Sequence, residues 1–163
     1  MTVLDVRRDE EALTFTLVAE FDAPPARVWQ VWEDPRQLER WWGPPTWPAT
    51  FDRHEFRPGG RSAYYMTGPD GTKAHGYFEF TLVDAPQRLE FNDGFADAAG
   101  EPVTTMEPTH GTVTFEAQGD RTRMTLLSRF TSLDQLQEMA KMGMEEGLRL
   151  AVGQIDEVLG ARS

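Results

Sequence analysis

The sequence predicts an α+β domain with a helix-grip fold: a curved antiparallel β-sheet wrapped around a long C-terminal helix, with two short helices after the first strand. Three observations carry this reading. Residues 13–21 alternate apolar and polar with period two. From residue 50 to 130 short alternating runs are separated by turns rich in Gly, Pro and Asp. Residues 133–159 contain no proline and repeat apolar or small side chains at spacings of three and four. A chain of 163 residues suits one domain, and residues 1–163 are read as a single unit.

In chain order, Leu13, Phe15, Leu17, Ala19 and Phe21 form one face of the first strand. Asp22 then offers a helix cap, and Pro24-Pro25 suits a first helical turn whose apolar side is Val28, Trp29, Val31 and Trp32. Asp34-Pro35 repeats the signal for a second short helix through Leu38 to Trp41, which Gly43-Pro44-Pro45 stops. Strands follow at Thr50–Phe56, Arg61–Thr67, Lys73–Val83 and Arg88–Phe95, and the stretch from Ala96 to Pro108 is the longest loop. His110–Ala117 and Thr122–Phe130 pair across Gly119-Asp120. Ser132 caps the terminal helix, and Asp134 suits its dipole. Its stripe runs through Leu136, Met139, Ala140, Gly143, Gly147, Leu150, Ala151, Gln154, Ile155 and Val158, of which Leu136, Ala140, Gly147, Ala151 and Ile155 are expected against the sheet.

Charge narrows the function. With 27 Asp and Glu against 16 Lys and Arg, the net charge is −11. That leaves no clustered positive footprint for a nucleic-acid backbone or an anionic membrane. No apolar run is long enough to span a bilayer, and the charged N-terminus is unlike a signal peptide, so a cytoplasmic location without membrane insertion is expected. The absence of Cys removes disulfides and thiolate chemistry.

Phe21-Asp22-Ala23-Pro24-Pro25-Ala26-Arg27-Val28-Trp29, Asp34-Pro35, Leu38 and Trp41-Trp42-Gly43-Pro44 resemble the opening signature of one family. Arg57-Pro58-Gly59-Gly60, Pro69-Asp70-Gly71, Pro86-Gln87-Arg88-Leu89 and Thr122-Arg123-Met124-Thr125-Leu126 match it further, so that the resemblance covers roughly residues 12–160. These are bacterial homologues of the C-terminal domain of the activator of 90-kDa heat-shock-protein ATPase, within the START-like (SRPBCC) superfamily. The resemblance implies a concave sheet and a long helix enclosing an apolar cavity. Two departures stand out. Gly147-Leu148 replaces the family's common Gly-Trp pair, which implies a wider pocket, and Leu82 stands where a Glu is often found.

Catalytic patterns are sparse. Ser62, Ser128 and Ser132 lack a nucleophile-elbow context, and no phosphate-binding glycine motif is present. Three histidines on separate strands, without ligand spacing, predict neither a catalytic nor a structural metal, and no cofactor is expected. The turn positions suggest that His54 and His75 both lie opposite Tyr64, in one row about 5 Å apart; the alternative is unrelated or solvent-facing histidines. Adjacent Trp41 and Trp42 cannot face the same way; one can be core and the other border an opening, but the reading preferred is that both are structural.

The leading expectation is a non-enzymatic binding protein for a small hydrophobic or amphipathic molecule. Trp32, Trp42, Tyr64, Phe78, Phe80 and Phe95 would wall the cavity, Met139, Gly143, Met144 and Leu148 would close it, and His54, Tyr64 or His75 would orient the ligand. Filling the space by Gly143→Leu is expected to abolish binding with the fold intact. A cyclase- or hydrolase-type enzyme using the same cavity is the second reading. A stress-related, co-chaperone-like module with a protein partner is the third. The chain is expected to be a monomer or a weak homodimer.

Overall fold

The computed structural model describes residues 2–160. Its element order is β1 (Thr2–Asp9), β2 (Thr14–Phe21), α1 (Pro25–Glu33), α2 (Pro35–Leu38), β3 (Ala49–His54), β4 (Arg61–Thr67), β5 (Lys73–Asp84), β6 (Arg88–Phe95), β7 (Thr109–Gln118), β8 (Arg121–Arg129), α3 (Leu133–Lys141), α4 (Met144–Gly153) and α5 (Ile155–Gly160). The strands form one antiparallel sheet in the order β1-β2-β8-β7-β6-β5-β4-β3. β3 to β8 make a meander, and α1 and α2 carry the chain from β2 to the opposite edge. This is the α+β helix-grip arrangement.

Period two does what it should in β2. Phe15, Leu17, Ala19 and Phe21 are fully buried and their neighbours are not. β8 repeats the pattern with Thr122, Met124, Leu126 and Ser128 inward. The Pro-Pro entry to α1 works through φ, not through a side-chain cap: Pro24 stands at the cap in extended geometry and Pro25 opens the helix. Asp34 is a working cap, accepting from the Arg36 amide at 2.9 Å.

Three features depart from the sequence reading. β1 was not anticipated. It is an edge strand with an irregular register between Val3 and Asp5, which breaks the alternation that would have announced it, and its Arg7, Arg8 and Asp9 side chains keep the open edge charged. The terminal helical segment lies over the expected residues but in three pieces. Met142 caps α3, and Gly143 adopts φ 84°, left-handed, before α4 starts. Because that break resets the helical phase, Leu150 of the anticipated stripe is 46% exposed while Val152, outside it, is fully buried. Leu136, Ala151 and Ile155 are buried as expected, whereas Ala140 and Gly147 are only half-buried.

The third departure concerns the histidine row. The β3–β4 turn sets His54 opposite Ser62 and, beyond an irregularity between Phe51 and Arg53, Phe51 opposite Tyr64, while the β4–β5 register sets His75 opposite Tyr65. Tyr64 and Tyr65 point to opposite faces of the sheet, so the His54–Tyr64–His75 row does not form.

The terminal segment is tied down at both ends. Ser132 Oγ accepts from the Gln135 amide at 3.1 Å, and Gln135 Oε1 accepts from the Thr131 amide at 2.7 Å. Gln135 Nε2 also donates to the Glu107 carbonyl at 2.5 Å, which links α3 to the long β6–β7 loop. At the other end Gln154 Nε2 donates to the Gly43 carbonyl at 2.7 Å. Beneath lies an aromatic core. Trp32 packs edge-on to Trp41 at 4.8 Å between ring centres and also meets Trp42 and Phe91, while Phe78 meets Phe91 at 4.8 Å and Trp42 at 4.9 Å.

Candidate functional site

Between the concave face of β4–β8 and the α3–α4 segment lies an open pocket of about 290 Å³. Small residues leave the space. Where a Cβ would stand on Gly143 or Gly147, nothing lies within 4 Å. The helical wall is Met139, Met142, Gly143, Met144, Gly147 and Leu148, and flexible thioethers suit a ligand of irregular shape.

Tyr64 is set by its neighbour across the sheet. Its ring lies flat over Gly76 on β5, where any Cβ would stand 2.5 Å from the phenol oxygen. The phenol thereby passes over β5 and reaches β6, donating to Asp93 Oδ1 at 3.1 Å. Asp93 points to the concave face because β6 alternates Leu89, Phe91, Asp93 and Phe95 inward. It keeps some surface towards the pocket, yet protein surrounds it closely enough for desolvation to dominate. Burial raises its pKa to about 7, with the Tyr64 hydrogen bond pulling weakly the other way. Burial first, and then the charge on Asp93, drive the Tyr64 pKa well up. The Trp42 indole N–H sits beside this phenol and favours its ionised form, but has no hydrogen bond of good geometry. Among the described residues Asp93 Oδ2 has no hydrogen-bond partner. The hydroxyls of Thr109, opposite Asp93 on β7, and Ser128 on β8 complete the polar end of the wall.

Tyr64→Phe is expected to push the Asp93 pKa higher still, since it removes a donor to the ionised form. Carboxyl-carbon NMR titration reads this directly. A lower value in the variant would mean that the hydrogen bond is not made.

Of the residues named from sequence, Trp42, Tyr64, His75, Phe95, Met139, Gly143, Met144 and Leu148 border the pocket. His75 does so with its ring turned to Tyr65, 5.7 Å between ring centres, on the other face. Trp32, His54, Phe78 and Phe80 are not on the wall. Trp32, Phe78 and Phe80 are packed into the core beneath it. His54 joins β3 to α1: its Nε2–H donates to the Trp32 carbonyl at 3.0 Å, and its Nδ1 accepts from Ser62 Oγ at 2.6 Å. Desolvation lowers its pKa, so it serves as a neutral structural bridge. Gly143→Leu is a poor way to fill the pocket, because φ 84° strains any side chain there.

Asp93, Thr109 and Ser128 were missed. The signal was present, since each is a polar residue at an inward phase of an otherwise apolar strand face. Among the described residues no group of His, Cys, Asp or Glu is arranged to hold a metal ion, and no helix is long and apolar enough to cross a membrane.

Known proteins share this architecture over nearly the whole chain. A solution NMR structure from Arthrobacter aurescens is 62% identical, covering 99% of this chain and 94% of that one, with a TM-score of 0.94. A crystal structure from Mycobacterium smegmatis is 46% identical, covering 99% of both chains, with a TM-score of 0.90. A solution NMR structure from Staphylococcus epidermidis is 26% identical over 98% of this chain and 94% of that one, at a TM-score of 0.81. No match is found among curated proteins. The model of one family spans residues 22–160, from the Asp22 that precedes the Pro-Pro helix entry to the end of α5, so the chain belongs to the family described as activator of Hsp90 ATPase homolog 1-like proteins.

Proposed function

We propose that this chain is a non-enzymatic binding protein that takes a small hydrophobic or amphipathic molecule into the pocket between sheet and helix. The observation that supports it is the Gly143–Gly147 gap facing Phe91, Phe95 and Leu126 across an open space. Water in an open pocket lined largely by apolar side chains is displaced favourably by an apolar ligand, and binding to the folded state raises stability. Family membership is compatible with a ligand-binding or a co-chaperone-like module, and the pocket favours the first.

Gly147→Leu tests this reading. Gly147 sits in α4 without left-handed strain, borders the pocket, and has nothing within 4 Å of where a Cβ would stand. The variant is expected to bind the neutral fluorescent probe N-phenylnaphthylamine at least about tenfold more weakly, while removal of a helix glycine raises stability by about 1 kcal/mol. Parent-like binding by a folded variant would place the probe elsewhere and sink the proposal.

One observation favours a second reading. Asp93, titrating near neutrality beside Tyr64, is a carboxyl poised for general acid or base work in a cyclase- or hydrolase-type reaction. Its mark would be turnover of a bound compound that Asp93→Asn abolishes.

A further inference from the structure

The pocket wall carries an unequal set of charges. Among its described residues there is no Lys or Arg, whereas Asp93 stands at the inner polar end and Glu107 is exposed at the mouth. Asp93 borders the pocket, its Oδ1 is engaged by Tyr64, and its Oδ2 has no hydrogen-bond partner among the described residues. A carboxylate ligand would meet like charge and no cation there. A neutral hydroxyl could donate one hydrogen bond to Oδ2. A protonated amine could donate to Oδ2 and the Thr109 and Ser128 hydroxyls while neutralising the carboxylate. Resting on the binding reading above, we infer that the ligand is a hydrophobic amine, its ammonium group held by Asp93 and its apolar body lying against the methionines of α3 and α4.

The groups facing Asp93 give this a pH signature. From β4 it meets Tyr64, from β5 Gly76 and Phe78, with the Tyr77 phenol against neighbouring Gly94 and within reach of its charge, from β7 Thr109, and across the pocket uncharged methionines. The remaining titratable wall residues are Glu107 at the mouth and His75, whose ring is on the other face. Near pH 7 the empty pocket holds Asp93 partly protonated, and binding an ammonium expels that proton to solvent. Amine affinity therefore rises by about tenfold between pH 6 and pH 8, then levels off until the amine itself deprotonates.

Three probes sharing one apolar body test it: naphthylethylamine, naphthylethanol and naphthylacetate. Affinity is read by calorimetry at pH 6 and pH 8, and location by methionine methyl NMR shifts of Met139 and Met144. The expected order at pH 8 is amine, then alcohol, then carboxylate, with the amine at least about tenfold ahead of the alcohol. Asp93→Asn is expected to collapse the amine-to-alcohol ratio to about one. If the probes shift the methionines but the alcohol or the carboxylate matches the amine, the amine assignment is overturned and the pocket reading stands. If none binds, or the methionines do not respond, both fall. The wild-type order and its pH dependence decide the matter even if the variant folds poorly.

Discussion

Trp41→Ala is expected to cost about 3–5 kcal/mol, the range for truncating a large buried aromatic. Trp41 is fully buried, stands 4.8 Å from Trp32 and 5.6 Å from Trp42 between ring centres, and donates its indole N–H to the Val31 carbonyl at 2.9 Å. Truncation opens a cavity at the centre of the aromatic core and leaves the Val31 carbonyl unpaired. Domains of this size hold only about 5–15 kcal/mol in all, so the variant should sit near its unfolding threshold at ambient temperature. Trp41→Phe separates the two losses. It keeps an aromatic ring and forfeits the hydrogen bond, for an expected cost of about 1–2 kcal/mol. Urea denaturation of the three proteins decides, and a loss below about 1 kcal/mol for the alanine variant would mean that the aromatic cluster can collapse around the gap.

How much of this could be read from residues alone follows from where local pattern and tertiary structure agree. β2 and β8 were legible because their inward faces alternate without interruption and their ends carry turn residues. The terminal segment was legible as helix because no proline interrupts it, but not as three helices. Glycine at 143 reads equally well as close packing or as a left-handed break, and only the tertiary path chooses. The centre of the β3–β4 turn has no sharp local signature, and its true position sets His54 opposite Ser62, two residues short of Tyr64, where it bridges β3 and α1. The spacing of Met139, Gly143 and Gly147 and the clustered methionines brought most of the helical wall into view, and the family resemblance added Leu148. Asp93 stayed hidden for a different reason. In a chain with 27 acidic residues, a single Asp on a strand does not stand out unless the strand's phase is followed residue by residue.

Asp93→Asn is expected to make the protein more stable at pH 8 than the parent, and by a margin that vanishes towards pH 4. The Asp93 pKa is about 7 in the folded protein against 3.8 as its ordinary value. Between those values the folded state binds more protons than the unfolded one, so the stability due to the neutral carboxyl is fully present below about pH 4 and is lost as pH rises towards 7. At about 1.4 kcal/mol per pKa unit the loss is on the order of 4 kcal/mol, as an upper bound. Asparagine keeps an acceptor for the Tyr64 hydroxyl and has nothing to ionise. Glu55, Asp70 and Glu90 have lowered values and oppose this slope in acid, but they are common to both proteins and cancel in the difference. Denaturant titrations of parent and variant from pH 4 to pH 8 give that difference directly. A constant offset, or a variant less stable at pH 8, would show that Asp93 ionises freely in the fold. The predicted direction bears on function as well as stability. A neutral amide would serve the empty pocket better, so a carboxyl kept there at the expense of stability is what a site built to meet a donor or a cation would show.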